Sequence, residues 1–217
     1  MKKLLDKLDR KYGRYGIENL MMYIIGAMII VHFMDMFLIN KMDASLNMLF
    51  AFDRAAIFRG ELWRIFTFAF MSPDDNLLFL IFSLYFLWLM GNGLEQRWGT
   101  FKFNVFYFSG LLFSLIAGFI LGYATNGFVN LTLFLAFAAI YPDHEILLFF
   151  FIPVKVKYLA ILDAISLAFL LIILPLQMKL AILVAVGNFL LFFGSDIIDR
   201  IKYAKRRRDF QNKTNRK

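Results

Sequence analysis

The sequence contains no cysteine, four prolines and two histidines among its 217 residues. Without cysteine the chain has neither disulfides nor thiolate metal ligands. The two histidines, His32 and His144, are far apart, and no H-E-x-x-H pattern occurs, which excludes the usual zinc protease signature. His144 lies in the cluster Asp-His-Glu at 143–145, which reads as a solvated loop. We therefore expect no metal and no other cofactor.

We expect no cleavable signal peptide and interpret the first apolar run as a retained helix. The first sixteen residues, MKKLLDKLDRKYGRYG, are too polar to form the apolar region of a signal, and the apolar run after them has no A-x-A cleavage site. The net charge of +8 is concentrated at the two ends of the chain, outside the apolar segments. This pattern is typical of membrane orientation and of contact with anionic lipid headgroups. We expect such lipids as partners and no nucleic acid.

Apolar residues dominate what is present. The chain is 61% hydrophobic, has 28 phenylalanines and a mean hydropathy of +0.67. These values lie outside the range of soluble domains and predict an all-α integral membrane protein. We divide it into a basic arm (1–16), one membrane domain (17–199) and a basic tail (200–217). Six apolar segments are predicted, at 17–39, 76–90, 103–124, 128–141, 158–176 and 180–198, with a long loop at 40–75.

The distribution of basic residues predicts the orientation. Six spans place both termini on the same side of the membrane. If that side is cytoplasmic, five of the 24 lysines and arginines lie outside and the other 19 lie inside. Such an excess favours an N-in, C-in topology. Cytoplasmic basic ends and the lack of an organelle-targeting arm favour a bacterial plasma membrane.

Three stretches carry the most specific patterns. They are ELWRIFTFAFMSP at 61–73, GNGLEQRWGTFKF at 91–103 and FFFIPVKVKYLA at 149–160. In this order, with six segments, they resemble the rhomboid family of intramembrane serine proteases and their inactive relatives. The resemblance covers about residues 17–200 and rests on Trp63, Arg64, Gly91, Leu94, Glu95 and the Gly99-Thr100 turn.

The resemblance implies a six-helix bundle and a Ser-His dyad, with the serine at the outer end of segment four and the histidine in segment six. The corresponding positions here read Gly127 and Ala185. The positions implied for the oxyanion-stabilising His and Asn of segment two read Phe79 and Ser83. A hydroxyl needs a neighbouring base to act as a nucleophile, and neither histidine lies in segment six. The sequence therefore predicts a protein that retains the scaffold without the catalytic dyad.

Two polar residues remain near the vacated positions. Asn130 and Asn188 each lie three residues after a dyad position, which places them at equal depth, about 4.5 Å further into the membrane. We expect the two amides to hydrogen-bond across segments four and six, or alternatively to bond separately to backbone or water. Segment four itself has about 14 apolar residues, too few for a lipid-facing span, which indicates a central, enclosed helix.

Acidic residues within the segments offer no second chemistry. Asp35 lies near the outer end of segment one and Asp163 about two turns from the inner Lys157, so they cannot share a proton as an aspartyl dyad does. We expect Asp163 to pair with an inner basic residue. The apolar stretch LLFFFIPVKVK, which precedes segment five, either lies in the membrane interface or packs against the bundle.

The predicted function is that of a rhomboid-like pseudoprotease, not an enzyme, that binds the transmembrane helices of client proteins. Two alternatives stay open. One is an active intramembrane serine protease with atypical residues, and the other is a small transporter or channel. A transporter is typically built from repeated or broken helices, and the sequence has no internal repeat. The oligomeric state is not predicted.

Overall fold

A computed structural model describes residues 2–42, 46–74, 76–148, 152–176, 178–180, 182–184 and 186–194. Most of these residues are helical. The helices are α1 (Lys2–Tyr12), α2 (Leu20–Met42), α3 (Leu46–Phe50), α4 (Arg54–Phe58), α5 (Arg64–Thr67), α6 (Leu77–Trp98), α7 (Thr100–Leu121), α8 (Gly127–Ile140), α9 (Val156–Ile173) and α10 (Met178–Gly194). Short 3-10 turns lie at Gly13–Tyr15 and Phe68–Phe70.

Four of these helices, α2, α6, α7 and α9, are long and apolar enough to cross a membrane. Two further apolar helices, α8 and α10, are shorter. The predicted all-α membrane class is therefore confirmed. In chain order the six predicted segments correspond to α2, α6, α7, α8, α9 and α10, of which the four long ones satisfy the length of a span.

Helix α8 lies at the centre of the bundle. Half of its 14 residues are buried, among them Leu133 and Ala136 with no exposed surface. It contacts α6, α7 and α9. By contrast, only 6% of the apolar window of α9 is buried. The burial of α8 confirms the prediction that the short fourth segment is enclosed, because a helix surrounded by protein need not match the thickness of the lipid.

The junction between the second and third segments differs from the prediction. We expected the second segment to end at residue 90, but α6 continues to Trp98. Gly91 and Gly93 lie inside the helix because they admit close neighbours, Met21 on α2 and Phe137 on α8. The chain turns at Gly99, whose φ of +87° favours glycine. A single residue thus separates α6 from α7.

Two small antiparallel ladders were not predicted. Strand β1 (Phe52–Asp53) pairs with β2 (Tyr123–Ala124), which ties the long loop between α2 and α6 to the end of α7. We call this loop the outer loop, after the side on which the sequence predicts it. Strand β3 (Glu145–Leu148) pairs with β4 (Ile152–Lys155). The apolar stretch before α9 is therefore a hairpin, of which residues 149–151 lie outside the described part of the chain. The outer loop also contains α3, α4 and α5.

The basic arm forms helix α1 and is docked onto the bundle. Leu5 is buried, and Nζ of Lys102 on α7 lies 2.6 Å from a carboxylate oxygen of Asp6 and 3.8 Å from one of Asp9. The side-chain amide of Asn104 donates to the carbonyl of Ile17 at 3.1 Å. The basic tail, 200–217, lies outside the described residues.

Candidate functional site

Trp63 and Arg64, predicted as a motif, fasten the outer loop. The Arg64 guanidinium is nearly buried and donates to the carbonyls of Met48 at 2.7 Å and Ala51 at 2.8 Å. It also forms an ion pair with Glu61 at 2.7 Å. The indole N–H of Trp63 donates to the carbonyl of Leu49 at 3.1 Å. These contacts join the start of α5 to backbone carbonyls at the end of α3 and just after it, so the pair acts as a structural clasp.

Glu95, the acidic residue of the second motif, holds the α6–α7 junction. Its Oε1 accepts from the backbone N–H of Asn19 and from the hydroxyl of Thr100, each at 3.0 Å. Asn19 has a positive φ of 54° and directly precedes α2. One carboxylate oxygen therefore joins the start of α2 to the α6–α7 turn. The geometry gives Glu95 a structural role at the end of the bundle.

A cavity of about 420 Å³ lies between α6, α8 and α9. Its wall is mostly apolar and contains a small number of polar side chains, the composition typical of ligand sites. The lining residues are Pro73, Phe82, Ser83, Phe86, Leu87, Met90, Gly127, Asn130, Leu131, Phe134, Leu159 and Asp163.

Two of the predicted vacated positions line this cavity. Gly127 is the first residue of α8, and Ser83 faces it from α6. Phe79, one turn earlier on α6, is 43% exposed and is not part of the lining. Ala185 lies outside the described residues. Two of the four positions that the resemblance singled out therefore lie in the wall of one cavity.

Ser83 is held by a residue that the sequence analysis missed. Its hydroxyl donates to Oδ2 of Asp74 at 2.7 Å. Asp74 precedes α6 in the loop, nine positions away, and no periodic pattern links the two residues. In serine proteases the base that takes the hydroxyl proton is a histidine. Here His32 lies on α2, and His144 contacts the ring of Phe137 beyond the far end of α8.

Asn126, which directly precedes Gly127, has a hydrogen bond that the sequence did not predict. It is buried, and its side-chain amide donates to the carbonyl of Met71 at 2.8 Å. This bond fastens the outer loop to the start of α8, directly above Gly127. The available signal was weak, since an asparagine before a helix most often serves as a cap, and here its side chain makes no cap bond.

Asn130 and Asn188 are placed in different environments. Asn188 on α10 is fully buried. Its Oδ1 accepts from the hydroxyl of Ser109 at 2.7 Å, and its Nδ2 donates to the carbonyl of Phe106 at 3.1 Å. Asn130 is half-buried and faces the cavity. Within the described part of the chain the two amides do not bond to each other, because Asn188 turns towards α7. It lies against Gly110, where a Cβ would approach its Nδ2 to 3.1 Å.

Asp163 also faces the cavity and is half-buried on α9. The pairing that we expected with an inner lysine is not formed. Nζ of Lys157 instead lies 2.7 Å from a carboxylate oxygen of Asp143. That hydrogen bond holds the pKa of the Asp143 carboxyl below its usual range. No basic partner of Asp163 occurs among the described residues. Among the described residues, the cavity therefore has one carboxylate and one side-chain amide without a hydrogen-bond partner, on the neighbouring helices α9 and α8.

Asp35, the other acid within an apolar segment, is buried against the start of α3. Its carboxylate accepts from the backbone N–H of Leu46 at the start of α3. This is a capping contact between α2 and the outer loop. The described residues contain no group of three side chains suited to a metal ion.

Over residues 22–193, most of the chain, the sequence matches the model of a family described as eukaryotic integral membrane protein, DUF1751. None of the curated proteins matches the chain. The eukaryotic family argues against the bacterial plasma membrane that we expected from the sequence, and it supports a location in a membrane.

Proposed function

The chain belongs to the DUF1751 family of eukaryotic integral membrane proteins, and from this premise we propose that it is a rhomboid-like pseudoprotease that binds transmembrane helices of client proteins. The observation that carries the proposal is the cavity between α6, α8 and α9. It is open at the position where the resemblance implies a nucleophile, and Gly127 supplies no side chain there.

The shape and chemistry of the cavity support helix binding. Its wall is contributed by the sides of three apolar helices, and one of them, α9, has little of its surface buried against the rest of the protein. A loosely packed helix beside an apolar cavity offers a surface on which a partner helix can exchange its contacts with lipid for contacts with protein. In membranes such association depends on close van der Waals packing and a few polar contacts, both of which the cavity provides.

We propose that the cavity catalyses no hydrolysis. Ser83 carries the hydroxyl of the cavity wall, and this hydroxyl donates its hydrogen bond to the carboxylate of Asp74, with no histidine nearby among the described residues.

The proposal also includes six spans with both termini in the cytoplasm. The absence of cysteine makes orientation simple to test. Single-cysteine variants at Arg59 and Lys7, both exposed, are expected to react with an impermeant maleimide from opposite sides of a sealed vesicle. Labelling from the same side would reject the topology.

Helix binding is tested by photo-crosslinking in liposomes. A photoreactive amino acid is placed at Leu159, in the cavity wall, or at Leu162, which is 61% exposed on the same helix and outside the cavity lining. A panel of single-span model helices is reconstituted with each variant. We expect adducts from position 159 that exceed those from position 162. Equal, low yields from both positions across the panel would overturn the proposal.

Catalysis is tested separately. The purified protein is incubated with a transmembrane substrate of an active rhomboid protease and with a fluorophosphonate probe. We expect neither cleavage nor labelling. Cleavage that disappears in Ser83→Ala would reject the pseudoprotease function in favour of an atypical protease.

A further inference from the structure

The unpaired carboxylate of Asp163 is the least expected group in the cavity. It lies on α9 seven residues after Val156, about 10 Å along the helix from its first residue. The nearest lysine on the same helix, Lys157, is engaged by Asp143. The other charged residue near the cavity, Asp74, is also acidic and is hydrogen-bonded to Ser83. The cavity thus concentrates negative charge without a cation among the described residues.

A carboxylate at this depth is costly unless a partner accompanies it. Charged side chains within apolar spans are rare, usually face a cavity, and mark sites of function. Packing of the bundle does not explain Asp163, because α9 has little buried surface and the residue donates to and accepts from no described group. A leucine would suit a purely structural helix better at this position.

Asn130 lines the same cavity from the neighbouring helix α8. It is the fourth residue of α8, three residues after Gly127. Its side chain makes no hydrogen bond with the described residues. Its amide oxygen is an acceptor, as are both oxygens of an ionised Asp163. An ammonium or guanidinium has several N–H donors and no acceptor. The two side chains therefore match a cation in both charge and hydrogen-bonding capacity.

We propose that Asp163 and Asn130 form a recognition site for a basic side chain, lysine or arginine, carried within the transmembrane helix of the client. This inference rests on the proposed function and names the class of client. The basic residue lies about two helical turns into the membrane from the face at which α9 begins. Binding of such a client is favoured because the cation in its transmembrane helix gains a charged partner in the cavity, and lipid supplies none at that depth.

The experiment uses the full-length protein in liposomes with three model helices. They are identical except for a lysine, leucine or glutamate at the position two turns from the face of α9. The crosslinker at Leu159 reports occupancy. We expect the lysine helix to crosslink about tenfold more than the leucine helix, between the few-fold effect of exposed pairs and the roughly thirtyfold effect of buried ones. The glutamate helix is expected to give the lowest yield.

Three variants test the residue. Asp163→Asn is expected to remove the preference for lysine, and Asp163→Lys to transfer the preference to the glutamate helix. Glu145→Gln is the matched control, since Glu145 is an exposed carboxylate on β3 outside the cavity. It changes the net charge equally and should leave the preference intact. The reversed preference of Asp163→Lys also shows that the variant is folded.

The outcomes separate the two proposals. If the lysine and leucine helices crosslink equally well at Leu159, the cavity binds helices but the recognition of a basic residue is wrong. If none of the helices crosslinks above the Leu162 control, helix binding itself is wrong. If Glu145→Gln weakens the preference as much as Asp163→Asn does, the effect arises from net charge and the assignment of Asp163 is wrong.

Discussion

Replacing Gly91 by alanine would place a Cβ atom 2.0 Å from Cγ and 2.9 Å from Cβ of Met21. The shorter distance is about 1.5 Å below the optimal separation of two carbon atoms. Met21 is 2% exposed and belongs to the main core, so its side chain cannot move into lipid. Overpacking of this kind costs about 1–3 kcal/mol. The start of α2 and the second half of α6 must separate to relieve it.

The helical preference of alanine opposes this cost. In a helix interior alanine is favoured over glycine by about 0.5–1 kcal/mol. We therefore expect Gly91→Ala to destabilise the protein by about 1 kcal/mol, and by no more than about 2.5 kcal/mol. The matched control is Gly26→Ala on α2, where an added Cβ has no neighbour within 4 Å. That variant should show the favourable helical preference of alanine alone, and it should unfold at a higher denaturant concentration than the parent protein.

Both variants are measured by denaturant unfolding in mixed micelles, followed by tryptophan fluorescence. Trp88 and Trp98 both lie on α6 and report on its surroundings. The reasoning requires opposite signs for the two substitutions. If Gly91→Ala were as stable as Gly26→Ala, the close contact of α2 and α6 would not exist, and the glycine in the second motif would have another explanation.

Three further predictions concern the clasp, the buried amide and a capped turn. Arg64→Lys should destabilise the outer loop by about 1.5–3 kcal/mol, because a lysine cannot reach the same carbonyls and carboxylate together. The loss is measured as faster proteolysis of the loop in detergent. A variant that resists proteolysis as well as the wild-type protein would refute the clasp. On mild oxidation the double variant Ser109→Cys/Asn188→Cys should form a disulfide and Asn130→Cys/Asn188→Cys should not; the reverse result would restore the predicted pair. The hydrogen bond from the backbone N–H of Ala56, together with that from Ala55, lowers the pKa of Asp53. A lowered pKa stabilises the folded turn above the ordinary carboxyl pKa of about 4, and that effect is lost as the pH falls through the folded value. The protection factor of the Ala56 amide, which is its exchange rate relative to the intrinsic rate at the same pH, should therefore fall in acid. Asp53→Asn, which keeps an acceptor, should abolish this pH dependence.

Hydropathy was sufficient to locate the apolar helices because burial in lipid requires runs of apolar residues that are visible in one dimension. The short length of the fourth run correctly indicated its central position. The end of α6 was misplaced for a physical reason. A glycine inside a sequence pattern is compatible with a turn and with close helix packing, and the neighbours of Gly91 and Gly99 decide between them.

Pairs of residues were harder to foresee than helices. The ladder of β1 and β2 joins residues about 70 positions apart, and the bond of Ser83 with Asp74 depends on the path of an irregular loop. Asn188 could be placed at the right depth from helical rise alone, but depth does not determine which neighbour a helix faces. Rotation of α10 towards α7 gave the amide Ser109 as a partner and left Asn130 in the cavity.

The sequence by itself determined that this is a helical membrane protein, where its apolar segments lie, and which residue types stand at each position, since composition and spacing are local properties of the chain. Tertiary structure decided which of these residues come together. Gly127, Ser83, Asn130 and Asp163 line one cavity only because α6, α8 and α9 pack side by side. Whether an acid within a span is paired depends on the residues across from it, and these are brought together only by the fold.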